Sequence, residues 1–446
     1  MQNKNYLKFT SLSKTMFWDF YSLSNKNSIF SNYPIVKLRE VIIQRKGSIT
    51  INDVEKYKRC RVQIHAKGVI LRDEVLGKEI KTKKQQLCKK DDFLVAEIDA
   101  KVGGYGIVPY YLENAIVSSH YFLFEIDKTK LTHEFLGIVI KLYNFSKQIK
   151  STGSTNYAAI RPYHVLEYKI PLPTLAEQNK IVASYNAKLQ LAHRQEEQAK
   201  ILERDIERYL FEELGIEKMI VKPFLKGVLN VFNFSEILDR WDYNKGSNSV
   251  FSILHQSKYP VKTLDEAFNF TNRSWNKKAH QEKTFTYVEM GGIDTGLGIV
   301  EVSNLEVSKA PSRATQTILS GDLIIGTTRP YLKKFAIVTD KNNENIASSA
   351  FQIIAPSKDY CLDYLLEYIK SEFGVKQFEY YMTGALYPAI TSKDLRRVLI
   401  PIPPLEKQKQ ISHHINSLKE QIKELNVLSN LNKDVAIVEF EKKIFN

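Results

Sequence analysis

Four residues near position 95 have types and spacing that could do chemistry. Asp91 and Asp92 stand side by side, and Asp99 precedes Lys101 in an Asp-x-Lys triplet. Many metal-dependent nucleases use such a set, because the carboxylates hold a metal ion that activates water. Hydrolysis of nucleic acid is therefore one hypothesis for this chain.

A long-range duplication decides against that hypothesis. The segment "IPLPTLAEQNKIV" at 170–182 returns as "IPIPPLEKQKQIS" at 400–412. Asp92 and Asp322 are 230 positions apart, as are Ile181 and Ile411. At this offset "RPY" replaces "DAK", and a catalytic triplet should not be lost in a twin domain. The duplication therefore favours a binding protein over a nuclease.

Other signatures of catalysis are missing from the sequence. The glycines of "GGIDTGLG" at 291–298 lack the Lys-Ser/Thr of a phosphate loop, so we predict strand, turn and strand there. Neither the glycine-rich cofactor turn nor the Asn/Asp-Pro-Pro-aromatic turn of a methyltransferase is present. Cys60, Cys88 and Cys361 are too far apart for a zinc site. We predict no catalytic residue, no metal site and no cofactor on this chain.

The charge of the chain indicates a polyanionic partner. The formal net charge is +14 and the pI about 9.3, with Lys and Arg spread through both halves. Such a field suits nucleic acid better than a membrane surface, because no basic amphipathic helix stands out. The start lacks an apolar signal core, and no stretch reaches the length of a membrane span. We therefore expect a cytoplasmic protein without a membrane partner.

Candidate DNA contacts follow from residue type. Lys and Arg fix register on phosphates, while planar donors such as Arg, Asn and Gln read bases. The candidates of the second half are Arg313, Arg329, Lys333 and Lys334. Those of the first half are Lys83, Lys84, Lys101 and Tyr105, in a region that also offers Lys81 and Gln85. Lys101 and Arg329 stand out, since both follow a predicted strand in equivalent loops, where binding residues concentrate.

The elements that must position these residues are of two kinds. In each half, short runs rich in β-branched and aromatic residues alternate with helical stretches, which predicts an α+β fold. No Pro or Gly occurs from Leu175 to Leu214, which predicts one helix of about 60 Å. A second helix is predicted from about Glu406 to Leu428.

The second helix carries a heptad pattern. Its apolar residues recur at spacings of 4, 3, 4 and 3, namely at Ile411, Ile415, Leu418, Ile422 and Leu425. The first helix has matching positions at Gln178 and Ile181, which correspond to Gln408 and Ile411. The pattern favours an antiparallel coiled coil between the two helices, and the alternative is that each helix covers its own domain.

Three segments together resemble a known family. They are "IRPYHVLEYKIPLPTLAEQNKIV", the run "FLVAEIDAKVGGYGIVP" with "AIVSS", and the run "PSRAT", "GDLIIGTTRPYLKKFAIV" and "ASSAFQIIAP". Their order, duplication and spacing resemble the specificity subunit of type I restriction-modification systems over about residues 30–428. Lys101 falls where that family usually has Arg after Ile-Asp-Ala, and "LAEQ" becomes "LEKQ" in the second copy.

The resemblance implies a non-catalytic subunit that binds double-stranded DNA. Each of two target-recognition domains would read half of a split site, and the helices would dock modification subunits, two in number, that carry S-adenosylmethionine and methylate adenine. Restriction subunits would add ATP- and Mg-dependent translocation and cleavage. The alternative is the recognition portion of a self-contained nuclease-methyltransferase. The predicted segments are an N-terminal extension (1–32), recognition domain 1 (33–170), spacer helix 1 (171–214), a connector (215–258), recognition domain 2 (259–400), spacer helix 2 (401–430) and a tail (431–446).

Overall fold

The computed structural model describes residues 30–149, 159–216, 249–280, 282–384 and 386–445. The chain divides into two compact units. Unit 1 comprises Met1–Arg194 with Leu428–Asn446, and unit 2 comprises Gln195–Val427. Nearly all of the predicted N-terminal extension and most of the predicted connector lie outside the described residues.

Unit 1 contains two larger sheets and a strand pair. Its strands are β1 (Ile35–Lys37), β2 (Ile42–Arg45), β3 (Ser48–Thr50), β4 (Lys56–Gln63), β5 (Gly68–Leu76), β6 (Lys84–Leu87), β7 (Phe93–Ala96), β8 (Tyr105–Ile107), β9 (Ile116–Val117), β10 (Tyr121–Ile126) and β11 (Lys169–Pro171). The sheet orders are β2–β10–β7–β8 and β3–β6–β9–β4–β5, and β1 pairs antiparallel with β11. The helices are α1 (His133–Val139), α2 (Tyr143–Ser146), α3 (Pro162–Glu167) and the long α4 (Leu175–Leu214). Two of the short helices, α1 and α2, lie between β10 and α3.

Unit 2 repeats this plan. Its strands are β12 (Val261–Thr263), β13 (Asn269–Thr271), β14 (Thr284–Val288), β15 (Ile293–Asp294), β16 (Gly298–Ile299), β17 (Ser303–Glu306), β18 (Ala314–Thr317), β19 (Leu323–Gly326), β20 (Phe335–Ile337), β21 (Ile346–Ser348), β22 (Phe351–Ala355) and β23 (Leu399–Pro401). The sheet orders are β13–β22–β19–β20 and β17–β14–β21–β18, with β12 paired to β23 and β15 to β16. The helices are α5 (Ser249–Leu254), α6 (Leu264–Ala267), α7 (Leu362–Lys370), α8 (Glu372–Tyr381), α9 (Ser392–Arg396) and the long α10 (Leu405–Ile444). The antiparallel pair β15–β16 confirms the strand-turn-strand prediction for 291–298.

A buried ion pair between an arginine and an aspartate occurs in both units. In unit 2 Arg273 meets Asp322 through two hydrogen bonds, Nη1 to Oδ2 at 2.5 Å and Nη2 to Oδ1 at 3.0 Å, and Asp322 is fully buried. In unit 1 Arg45 forms the same pair with Asp92, which is 3% exposed. Asp92 is thus used in a structural ion pair, and Asp322, 230 positions later, is used in the same way.

Two further glutamines with equivalent hydrogen bonds are 230 positions apart. The amide nitrogen of Gln86 donates to the carbonyl oxygens of Ser118 (3.1 Å) and Tyr121 (2.7 Å). The amide nitrogen of Gln316 donates to the equivalent carbonyls, those of Ser348 (2.7 Å) and Phe351 (2.9 Å). Buried backbone oxygens left without a donor are costly, so these glutamines fix where the two strands lie.

The glutamines that open the long helices act inside their own units. Gln178 is fully buried, accepts a hydrogen bond from the Thr132 backbone N–H (2.9 Å) and donates to the Lys130 carbonyl (2.8 Å). Gln408 is 1% exposed and accepts from the Cys361 N–H at 2.9 Å in the same way. The prediction that these two glutamines belong to a partner or coiled-coil surface is therefore wrong, because their polar atoms are used within the domain.

The long helices are equal in length. Helix α4 has the predicted bounds, whereas α10 continues from Leu405 to Ile444, also 40 residues. The predicted end near Leu428 and the separate tail 431–446 are wrong. Beyond Leu428 the apolar spacing widens around the polar Ser429 and Asn432 before Ala436, Phe440 and Ile444 resume it, and this interruption hid the rest of the helix.

Within each unit an end of α4 packs antiparallel on an end of α10. In unit 1 the Tyr185 and Phe440 rings lie 5.7 Å apart, and Lys188 meets Glu439 at 3.2 Å. In unit 2 Lys407 meets Glu213 at 2.6 Å. These contacts and the two mixed domains confirm the predicted α+β fold with a paired long helix.

The predicted seam residues have two roles. Ile181 lies in the buried core of unit 1, and Ile411 and Ile415 lie in that of unit 2, so these residues attach the helices to the domains. The later positions, Leu418, Ile422 and Leu425, are only half-buried. Both alternatives for the helices therefore hold in part, since each helix covers a domain and also pairs with the other.

Candidate nucleic-acid interface

The residues predicted to contact DNA in unit 1 have different environments. Lys84 on β6 and Lys101, in a short 3-10 turn, are exposed. Lys83 is half-buried, and its Nζ donates to the Gly77 carbonyl at 2.8 Å and pairs with Asp53. Lys84 and Lys101 thus remain open to a ligand, while Lys83 already has partners.

Tyr105 is not part of any surface. It is 1% exposed, and its ring packs edge-on against Phe93 at 6.3 Å and Phe145 at 5.5 Å. Burial raises the pKa of its phenol to about 12. The prediction of Tyr105 as a DNA contact is wrong, because its side chain belongs to the core of unit 1.

A basic cavity opens on the second sheet of unit 1. Its volume is about 580 Å³. The side chains around it come from β4, β5, the β5–β6 connection and β9–β10, and include Arg59, Arg61, Arg72, Glu79, Lys81, Gln85, Ser118 and Tyr121. With four cations and one carboxylate among these residues, the cavity has the sign of charge that an anionic ligand requires.

One carboxylate organises the arginines of this cavity. Asp73 accepts two hydrogen bonds from Arg59, from Nε at 2.6 Å and Nη2 at 2.7 Å, and Arg72 Nε lies 3.5 Å from the same carboxylate. The hydrogen bond from Arg59 holds the pKa of Asp73 below its usual range, so the carboxylate stays charged. The guanidinium of Arg61 makes no hydrogen bond or ion pair with any residue that the structure describes.

Two neutral polar side chains, those of Gln85 and Tyr121, also line the cavity. Gln85 is 8% exposed, and its amide nitrogen donates to the Thr82 carbonyl at 2.7 Å. Burial is the main cause that raises the pKa of Tyr121, whose phenol therefore keeps its proton at neutral pH. Cationic and neutral polar side chains thus line the cavity together, an arrangement suited to reading a flat polar edge.

In unit 2 the predicted residues surround a strained turn. Arg329 has φ 48° and Lys333 has φ 54°, and they flank the 3-10 turn Pro330–Leu332. The Arg329 backbone N–H donates to the Pro388 carbonyl at 2.7 Å, and its guanidinium lies 5.4 Å from the centre of the Tyr387 ring. Left-handed conformations cost free energy for residues with a Cβ and concentrate at functional sites.

Exposed apolar side chains stand beside Arg329. Leu386 is 81% exposed and Tyr387 73%, and Tyr331 and Leu332 are also exposed. In nucleic-acid interfaces, arginine contacts phosphates while neighbouring exposed aromatic and aliphatic side chains contact bases. The turn and this loop are therefore the candidate surface of unit 2.

The remaining predicted residues of unit 2 differ from one another. Arg313 precedes β18 and is exposed. Lys334 is half-buried and its Nζ donates to the Ile293 carbonyl, so it supports the β15–β16 strand pair. Of the four residues predicted in this half, Arg329 and Lys333 lie together, Arg313 is open to solvent and Lys334 has an internal partner.

The nuclease pattern does not assemble into a site. Asp92 is paired with Arg45, and Asp91 meets Lys128 at 2.7 Å. Over the described ranges, no group of three or more His, Cys, Asp and Glu side chains could hold a metal ion. Nor does any helix in those ranges have the length and apolarity needed to cross a membrane.

The sequence reading missed Arg59, Arg61 and Arg72. The signal was present in "KYKRCRVQ", where β4 carries Lys or Arg at four of its first six positions. The repeat has no matching basic run at 284–288, so the duplication does not single out this strand. A β-bulge also shifts the register of β5 against β4 at Arg72, so simple alternation does not predict that Arg72 joins Arg59 and Arg61 at one cavity.

Comparison with known proteins agrees with this architecture. Residues 31–203 and 256–433 match the type I restriction modification DNA specificity domain. The putative type I restriction enzyme MjaX specificity subunit of Methanocaldococcus jannaschii is 24% identical over 348 residues, covering 74% of this chain and 72% of that protein.

A solved structure shows the same fold. A chain from a study of complex assembly and conformational transition of the type I R-M system has a TM-score of 0.58 and 17% identity, covering 93% of this chain and 98% of that one. The HsdS subunit of Thermoanaerobacter tengcongensis, at 17% identity, gives a TM-score of 0.49 over 92% of this chain and 96% of its own. With both repeats matched over most of their length, this chain belongs to the family of type I restriction-modification DNA specificity subunits.

Proposed function

We propose that this chain is a non-catalytic adaptor in which each recognition domain reads one half of a bipartite DNA target. The observation that carries the proposal is the duplication itself. One scaffold with the same buried Arg–Asp pair occurs twice, yet the exposed basic residues on the two copies differ. A repeated scaffold with different readers suits a site made of two unlike halves.

The surfaces of the long helices support docking of other subunits. Apolar side chains are exposed along them, including Leu191, Ile201, Val427, Leu428, Leu431 and Val438. Exposed apolar residues in such number mark protein interaction surfaces. We propose that two modification subunits dock on these helices, bring S-adenosylmethionine and methylate adenine. Restriction subunits with ATP and Mg would complete the complex.

Methylation assays test this division of labour. The purified chain alone should transfer no methyl group to DNA, and the chain assembled with the modification subunit of its own system should methylate a split motif. Sequencing of methylated adenines in a random DNA library gives the motif. Methyl transfer by the chain alone would contradict the adaptor role, and an uninterrupted motif would contradict reading by two domains.

A further inference from the structure

The strand registers identify which positions correspond in the two recognition domains. In unit 1, β4 pairs parallel with β9 at Arg59 and Ile116. In unit 2, β14 pairs parallel with β21 at Tyr287 and Ile346, which is 230 positions after Ile116. Arg59 and Tyr287 therefore occupy the same place in the same sheet.

The neighbouring strand extends the correspondence. Arg59 faces Asp73 across β4 and β5, and Tyr287 faces Ser303 across β14 and β17. Arg72, one residue before Asp73, is skipped in the β4–β5 register at a β-bulge, and the register of β14 and β17 has no such bulge. Unit 2 therefore lacks a counterpart of the Asp73 carboxylate and of the Arg72 guanidinium.

The third arginine is missing as well. Arg61 lies two residues after Arg59, and the residue two places after Tyr287 is Glu289, which is exposed. Three guanidinium groups therefore line the cavity of unit 1, whereas unit 2 has tyrosine and glutamate in place of Arg59 and Arg61 and lacks the bulge that carries Arg72. A difference this large on a shared scaffold is a difference in what the two surfaces bind.

The hydrogen-bonding capacity of each guanidinium separates their roles. Arg59 donates from Nε and Nη2 to Asp73, so these two N–H groups are not available to a ligand. Arg72 touches the same carboxylate only through Nε, at 3.5 Å, and Arg61 meets no acceptor within the described part of the chain. Arg61 and Arg72 therefore keep the paired N–H groups that a bidentate contact needs, while Arg59 holds the carboxylate in place.

We propose that recognition domain 1 reads guanine through Arg61 and Arg72 at this cavity, and that recognition domain 2 does not read guanine at the corresponding position. This inference rests on the proposed reading of DNA by both domains. Guanine presents O6 and N7 as adjacent acceptors in the major groove, and a guanidinium fork matches them with two parallel hydrogen bonds. A phosphate would accept the same donors, but it would accept a lysine ammonium as well, and this difference makes the two ligands separable.

The first test maps methylated sites with the assembled modification complex. The half-site read by domain 1 should contain a guanine that Arg61→Ala relaxes by about 5- to 150-fold, the discrimination of one good bidentate contact. Arg61→Lys keeps the charge and should relax the same position, because an ammonium lacks the fork. Lys58→Ala removes a charge from the same strand outside the cavity and should leave the motif unchanged. Thermal unfolding checks that each variant is folded.

A second test uses the base itself. Replacing that guanine by 7-deazaguanine removes N7 as an acceptor and should weaken binding of the original complex by about 5-fold or more. The Arg61→Ala complex has already lost the contact and should respond little to the same base. Arg72→Ala and Arg72→Lys are measured in the same way.

The outcomes are distinguishable. If Arg61→Lys retains full discrimination while Arg61→Ala weakens binding to every sequence, the cavity contacts phosphate and the inference is wrong. A domain 1 half-site without guanine, or relaxation of the other half-site by Arg61→Ala, would also overturn it. Failure of the original complex to methylate any split motif would instead contradict the proposed function, whatever the arginine variants do.

Discussion

The turn between β7 and β8 in unit 1, and its equivalent between β19 and β20 in unit 2, differ at one backbone position. Lys333 has φ 54°, and its counterpart 230 positions earlier, Gly103, has φ 80°. A Cβ at Gly103 would lie 2.6 Å from the Ala66 backbone nitrogen, so unit 1 requires glycine there. Unit 2 tolerates lysine at the strained position, and that tolerance suggests that the ammonium is needed for binding.

Lys333→Gly should therefore raise stability and lower DNA affinity. Relief of the left-handed strain should stabilise unit 2 by about 1 kcal/mol, measured by denaturant unfolding. The dependence of log affinity of the assembled complex on log salt should become shallower by about one if Lys333 contacts a phosphate. The exposed Lys341, at a normal φ, provides the control: Lys341→Gly should give no gain in stability. A destabilised Lys333→Gly protein would show that the conformation is not strained.

At the scale of elements, the long helices belong to the domains as much as to each other. Phe440 near the end of α10 is 2% exposed and packs between Phe135 of α1 and Tyr185 of α4, at ring distances of 5.6 and 5.7 Å. Residues from the far end of the sequence thus complete the core of the first domain. The change from "LAEQ" to "LEKQ" also has a local reason, since Lys407 pairs with Glu213 while Glu177 caps its own helix through Thr174.

Phe440→Ala should destabilise unit 1 by about 3–5 kcal/mol, because it leaves a cavity where a buried aromatic ring stood. Val438→Ala on the same helix removes a side chain that is 47% exposed and should change stability by less than about 0.5 kcal/mol. Urea unfolding followed by the tyrosine and tryptophan signals of each variant measures the difference. Equal, small effects from both substitutions would mean that the end of α10 is not part of the core of unit 1.

At the scale of the molecule, both long helices pass from one unit to the other along the chain. Helix α4 crosses the boundary between Arg194 and Gln195, and α10 crosses it between Val427 and Leu428. Under the proposed function, the length of these helical segments sets the gap between the half-sites. An insertion in one helix alone would shift it against its antiparallel neighbour, so both helices must be lengthened together.

Inserting seven residues at both boundaries should lengthen each helix by about 10 Å while keeping the heptad register. At about 3.4 Å per base pair, the gap in the methylated motif should grow by about three base pairs with both half-sites unchanged. The same insertion in α4 alone should abolish methylation, since it misaligns the helix pair. A gap that stays constant in an active double-insertion complex would show that the helices do not set the spacing.

The sequence by itself determined the duplication, the α+β class and the long first helix. These follow from local or periodic signals: a constant offset of 230, strand-forming runs, and the stretch from Leu175 to Leu214 without Pro or Gly. The strands β19, β20 and β22 form within such runs, "DLIIGTT", "FAIV" and "FQIIAP", for the same reason. Such features depend on neighbours close in the chain, so residue type and spacing suffice to predict them.

Only the tertiary structure decided which polar side chains are available to a ligand. Gln178 and Tyr105 have the same residue types as surface readers, yet distant backbone groups and rings bury them. Arg61 and Arg72 are eleven positions apart and line one cavity because β4 and β5 pair with a bulge between them. Exposure and partnership are set by contacts between distant segments, and no local pattern in the sequence encodes those contacts.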